Sequence, residues 1–212
     1  MQILKDNLNS FRVAGHETFP CRYTWLPKIV NFLHDHPELY LDSDEGMTAL
    51  GVGKNMYASM RFWAESSGLI AKDVKSNDYT ITNLARLIFL GDTKRSSLDP
   101  YLENIQTSWL LHWNLSTNLC SPLFFWYFIL NHWHRYDFSQ TEIVDAMLAY
   151  LAKQGKDYSK STLESTFRVF ISSYCPAPNK DITEHSLALD CPFIDLNLVR
   201  RTGTKRTLMK NK

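Results

Sequence analysis

The chain has 212 residues, of which 44% are hydrophobic and 21% charged, which is enough apolar material for a core and excludes a disordered tail. Its 23 Lys and Arg against 22 Asp and Glu leave a formal net charge of +1. That excludes a strong field of one sign, so contact with a polyanion has to come from local clusters.

One such cluster is the stretch RRTGTKRTLMKNK, with Arg200, Arg201, Lys205, Arg206, Lys210 and Lys212 and no acid; its plain reading is a solvated, frayed tail. The first residues, MQILKDNLNS, lack the apolar run of a signal peptide, and the longest apolar run, Leu123 to Leu130, is too short for a bilayer. A soluble, cytoplasmic protein is expected. Cys21, Cys120, Cys175 and Cys191 show no C-x-x-C pair and no His partner at zinc-finger spacing, so reduced thiols are expected rather than a structural metal.

In chain order, the stretch GHETFPCRYTWLPK (Gly15 to Lys28) comes before any helical periodicity. Trp25 to His34 then reads as a helix with Leu26, Ile29, Val30 and Leu33 on one stripe and Pro27 tolerated in its first turn. Ser43 caps a short helix reaching Leu50, and Gly51-Val52-Gly53 is a tight turn. KNMYASMRFWAESSGLI follows as a helix with Met56, Met60, Trp63 and Ser67 on one side and Lys54, Ala58 and Arg61 opposite, ended by Gly68. Two β-prone runs, Leu69 to Ala71 and Tyr79 to Thr82, are joined by a polar link. This order predicts a winged helix-turn-helix with a small β-hairpin wing.

TNLARLIFL returns to helix, and a loop from Gly91 to Pro100 carries Lys94 and Arg95. Asp99-Pro100 reads as a turn and helix start. The aromatic stretch from Tyr101 to Trp133 contains WLLHWNL, with Trp109, Leu110 and Trp113 recurring, and LFFWYFIL, which is apolar all round. It predicts the core of a second, helical domain, with an exposed homodimer interface as the alternative. SQTEIVDAMLAYLAKQG opens on a capping pattern at Ser139. STLESTFRVFISSY places Leu163, Phe167, Phe170 and Tyr174 on one face and Ser161, Ser165, Arg168 and Ser172 on the other. The expected fold is mainly α: an N-terminal segment with the winged helix over residues 1–95, and over residues 96–212 a helical domain with a second helix-turn-helix-like pair and the basic tail.

A helix-turn-helix offers the first residues of its second helix to nucleic acid. Here these are Lys54, Asn55, Tyr57 and, further along, Arg61, with Lys72 and Lys75 of the wing able to reach the adjacent backbone. Glu65 works against this reading. Ser161 and Arg168 are of the types that bond phosphate oxygens, and equally of the types found on a solvated face. In the opening stretch, His16 and Glu17 suit a general base and a metal ligand, and Arg22 or Lys28 could stabilise a phosphoryl anion. The competing reading is that His16 and Glu17 only cap a helix and satisfy buried backbone. His112, His132 and His134 sit among tryptophans and read as core or rim residues.

Together GHETFPCRYTWLPK, LGVGKNMYASMRFW, GLI, DPYLE, WLLHW and the late CPF resemble, in that order, the bacterial family catalogued as domain of unknown function four-thousand-and-seven, which includes SspB-like proteins. The resemblance runs from Arg12 to about Phe193. It implies DNA binding in a DNA phosphorothioation defence system, with strand nicking as the implied chemistry and a cysteine desulfurase and an ATP-using protein as implied partners; dependence of the nicking on a divalent metal, Mg²⁺, is the expectation that His16 and Glu17 carry. Gly15, His16, Glu17, Thr18, Phe19, Arg22, Trp25 and Lys28 match its first motif. Gly51, Gly53, Lys54, Asn55, Met56, Arg61 and Trp63 match its helix-turn-helix motif. Family members are often longer than this chain. The rival expectation is a non-catalytic adaptor whose winged helix and aromatic segment dock partner proteins.

Overall fold

A computed structural model describes residues 12–40, 43–73, 78–117, 123–175, 190–202 and 207–210, with residue 43 and residues 207–210 described by backbone alone. Helices dominate it. α1 (Trp25–Asp35) buries the predicted stripe of Leu26, Ile29, Val30 and Leu33 and adds Trp25 and Phe32. Pro27 sits in its first turn, where no intrahelical donor is needed. After a 3₁₀ turn at Pro37–Leu39 come α2 (Ser43–Leu50) and α3 (Lys54–Ser66).

α3 ends in a Schellman motif: Leu69 N–H donates to Ala64 O (3.0 Å) and Gly68 N–H to Glu65 O (3.1 Å). Gly68 takes φ +71° there, a conformation that glycine adopts without a Cβ clash. The chain then pairs β1 (Ile70–Lys72) with β2 (Tyr79–Ile81) in an antiparallel hairpin, with Ile70 opposite Ile81. Thr82 closes this hairpin and opens the next helix. Its hydroxyl donates to Gly68 O and accepts from Ala85 N–H, capping α4 (Asn83–Ala85), which continues as one π turn over Arg86–Leu90.

Asp99-Pro100 forms the expected turn but not the helix start: the Asp99 carboxylate accepts from Glu103 N–H and Asn104 N–H at 2.8 and 3.0 Å, and α5 (Ile105–Thr117) opens on Asn104, whose Oδ1 accepts from Gln106 N–H. α6 (Phe124–Tyr127) runs on into a π turn over Phe128–His132. Leu123, Phe124, Phe125, Trp126, Phe128 and Ile129 are all buried, so this apolar run is core and offers no exposed interface of its own. The recurrence in WLLHWNL has the opposite outcome. Leu111 and Leu115 of α5 face inward, while Trp109, Leu110 and Trp113 are exposed.

α7 (Gln140–Lys153) and α8 (Lys160–Tyr174) pack on each other, each opened by a serine cap, Ser139 and Ser159. A three-stranded antiparallel sheet, absent from the sequence reading, joins β3 (Asp137–Phe138), β4 (Val199–Thr202) and β5 (Thr207–Lys210), with β5 in the middle. The frayed-tail expectation is thus corrected at residues 199–202 and 207–210. β3 pairs with a strand some seventy residues away in sequence, a pairing that local pattern does not reveal. Trp63 and Trp126 meet edge to face at 5.5 Å, and Phe193 lies 6.4 Å from Trp63, so residues from three distant parts of the chain share one core.

Candidate nucleic-acid interface

α2 and α3 are joined by Gly51, Val52 and Gly53, with Gly51 at φ +62°. Lys28 of α1 reaches over to this turn: its Nζ donates to Leu50 O at 2.7 Å and so caps the last carbonyl of α2. Gly53 is the N-cap of α3 and brings no side chain to the free N–H groups of the first turn. A shallow groove of about 600 Å³ lies beside this turn, lined by Asp44, Met47, Thr48, Gly51, Val52, Gly53 and Lys54. A Cβ at Gly51 or Gly53 would meet nothing within 4 Å, so the glycines leave room for an incoming backbone. Lys54 and Asn55 are exposed, and Lys54 lines the groove together with the Asp44 carboxylate.

The rest of the predicted recognition surface is different. Tyr57 is 2% exposed and donates its hydroxyl to Tyr40 O at 2.7 Å, so it is a core residue and not a contact for a ligand. Arg61 is half-buried, its guanidinium 4.7 Å from the Tyr40 ring, 5.8 Å from Tyr57 and 5.3 Å from Tyr79. It clamps β2 to the helices through cation–π contacts and is not extended toward solvent. Helical periodicity showed which face these residues share, but not that Tyr40 and Tyr79 would close over that face. Glu65, the carboxylate that opposed nucleic-acid contact, is paired with Arg12 at 2.6 Å. Lys72 is exposed on β1 beside the Tyr79 ring, and Lys75 lies outside the described residues. Arg168 and Ser161 are exposed on α8, far along the chain, with Ser161 Oγ 3.0 Å from the cap hydroxyl of Ser159.

His16 and Glu17 are the larger correction. Thr18 N–H donates to His16 Nδ1 (3.1 Å), which leaves the ring proton on Nε2, and Nε2 donates to Thr166 Oγ1 of α8 (3.1 Å). His16 O accepts the Ser59 hydroxyl of α3 at 2.9 Å. The ring is 3% exposed, and burial lowers its pKa to about 4, so it is neutral at pH 7 with both nitrogens occupied. Glu17 and Thr18 take φ +48° and +66°, and this left-handed turn carries Glu17 out to solvent. The pair therefore shares no site. It does not fit Mg²⁺, which favours carboxylate and water oxygens, and among the described residues no group of three or more His, Cys, Asp or Glu is placed to hold a metal. Arg22 stacks on Trp25 at 5.0 Å, at the start of α1.

The model of the family described as protein of unknown function (DUF4007) matches residues 13–212. The chain belongs to this family. Two solved structures are similar across the fold: an SspB crystal structure (TM-score 0.81, 24% identity, covering 100% of this chain and 62% of that one) and a magnesium ion-bound SspB crystal structure (TM-score 0.83, 25% identity, covering 97% and 62%). The family member described here thus spans about 62% of the length of those SspB chains. No curated protein matches it significantly. Among the described residues, no helix is long and apolar enough to cross a membrane.

Proposed function

We propose that this family member binds duplex DNA within a phosphorothioation defence system, using α2, α3 and the β1–β2 hairpin as a winged helix-turn-helix. The observation that carries the reading is the open N-terminus of α3: exposed Lys54 and Asn55, an N-cap glycine that puts no side chain over the first-turn N–H groups, and two glycines that keep the approach clear. Helix N–H groups and dipole favour a phosphate there, and lysine adds charge. Lys72 on the hairpin supplies a flanking contact. The partners in this reading are the sulfur-handling and ATP-using proteins of the system. DNA binding is the part of the family's implied function that these residues support.

Anisotropy of a short labelled duplex, titrated at several salt concentrations, tests this reading. Affinity should fall linearly on a log–log salt plot, and Lys54→Ala should reduce the slope by about 0.9. Binding with no salt dependence, or a Lys54→Ala slope equal to the parent's, would sink the α3 reading and favour the adaptor.

A further inference from the structure

A second basic site lies on the opposite side of the β1–β2 hairpin in sequence, where the π turn of α4 meets the loop after it. A cavity of about 540 Å³ is lined by Asn83, Arg86, Leu87, Lys94, Arg95 and Ser96, with Asp92 as its carboxylate. Asp92 is already engaged: Oδ1 accepts from Lys94 N–H (2.7 Å) and Arg95 N–H (2.8 Å). Among the described residues no carboxylate pairs with Arg86, Lys94 or Arg95. The loop is held in shape. Asp92 N–H donates to Arg95 O, Leu98 N–H to Leu87 O and Asp99 N–H to Ile88 O. Gly91, at φ +71°, is so tightly covered that a Cβ would stand 2.6 Å from Ser97 N. Three cations that form no ion pair among the described residues, set against the one Asp92 carboxylate, leave this preformed cavity net positive and favour an anion, because their mutual repulsion falls when one is bound.

The surroundings narrow the anion down. Leu87 on the wall and Leu98 beside it begin an exposed apolar strip, and it continues along the chain through Tyr101, 72% exposed, to Ile105, Trp109 and Trp113 on α5. Trp113 is 65% exposed. Ile105, Trp109 and Trp113 recur every four residues, so they lie along one side of the helix. Glu103 is the exposed acid on this strip. Cations followed in the chain by a row of solvent-facing aromatic residues are the combination that holds a nucleic-acid strand with unpaired bases: phosphates at the charges, bases stacked on the rings. A paired duplex keeps its bases inside and has no use for the rings.

We propose that this cavity and the α5 strip bind a single-stranded DNA segment, its phosphates at Arg86, Lys94 and Arg95 and its bases on Tyr101, Trp109 and Trp113. The proposal deepens the DNA-binding reading but uses none of the α3 residues. The two can therefore fail separately.

The test uses the full chain with a labelled oligothymidylate, reading anisotropy together with tryptophan emission, and a duplex of equal length as the second arm. Tryptophan emission should be quenched on oligothymidylate binding. Trp113→Ala should weaken the single strand by about fivefold or more while leaving the duplex arm unchanged. Lys94→Gln with Arg95→Gln should lower the single-strand salt slope by about 1.4, at about 0.7 per cation. All three positions are exposed, and a thermal melt confirms that each variant is folded. Oligothymidylate binding untouched by both variants overturns the proposal. A response to Lys54→Ala alone overturns it and leaves the α3 reading standing. Equal loss of duplex and single strand in the Lys94/Arg95 variant, with Trp113→Ala silent, overturns the single-strand assignment.

Discussion

His16 shows how a residue of catalytic type can become a structural one. Its carbonyl holds Ser59 of α3, its Nε2 holds Thr166 of α8, and Thr166 is also placed to donate to Val13 O at 3.2 Å. Gly15 makes this possible. At φ +127°, with a Cβ position 2.7 Å from the Phe62 ring, no larger residue passes so close to α3. His112 is a second histidine buried among the described residues. Trp126 N–H donates to the Tyr174 hydroxyl, which donates to His112 Nδ1 at 2.8 Å, and burial lowers the His112 pKa to about 4. Both rings are held neutral in the folded state and titrate near 6.5 when unfolded. The unfolded chain therefore binds more protons between pH 6.5 and about 4, so stability is fully present above 6.5 and is lost as pH falls through that window. Urea titrations at pH 7.5 and 5 should show a loss of about 2 kcal/mol from each ring. His16→Gln should flatten the slope by one ring's share. An unchanged slope in that variant would mean that His16 is not buried neutral.

At the element scale, the features legible in the sequence were those set by neighbours in the chain. Ser139 shows this: its hydroxyl accepts from Glu142 N–H, and the Glu142 carboxylate accepts from Ser139 N–H at 2.9 Å. This is the capping box that the spacing predicts. The Ser139 hydroxyl, which also donates to the Glu142 carboxylate at 2.8 Å, and the Ser139 N–H hold that carboxyl below its usual range, with Arg135 adding to the effect at 2.9 Å. Ser139→Ala should cost about 1 kcal/mol in a denaturant melt. A cost near zero would place the origin of α7 stability in its packing on α8 alone. Periodicity was a weaker guide on α5. Trp109 and Trp113 have the same apolar character as Leu111 and Leu115, and nothing in a one-dimensional pattern tells which stripe meets the core. The β3–β5–β4 sheet escaped for a related reason: strands of two to four residues carry too few alternations to register.

Across the whole molecule, the stretch that precedes α1 ties together regions far apart in the chain. Tyr23 O–H donates to Asp195 at 2.6 Å, Tyr23 N–H to Asp190 O, and Trp63 Nε1–H to Phe19 O. Cys21 and Cys191 are brought into this shared core. Burial pushes the Cys21 thiol up and the Cys191 thiol to about 12, so neither offers a thiolate at neutral pH. Mass-mapped alkylation of the native protein should spare Cys21 and Cys191 and modify both once denaturant is added. Rapid native labelling of either would show that this core opens.

The sequence by itself determined the helical character, most helix ends, the glycine turns and the family, because caps, turns and apolar stripes are interactions over three or four residues. Only the tertiary structure decided which polar residues are available. Tyr57 and His16 were drawn inward and Arg61 was clamped by Tyr40 and Tyr79, while Lys54 and Asn55 stayed at the surface. A side chain's availability depends on what distant segments place over it, and here those segments come from as far as 150 residues along the chain, at Thr166 over His16.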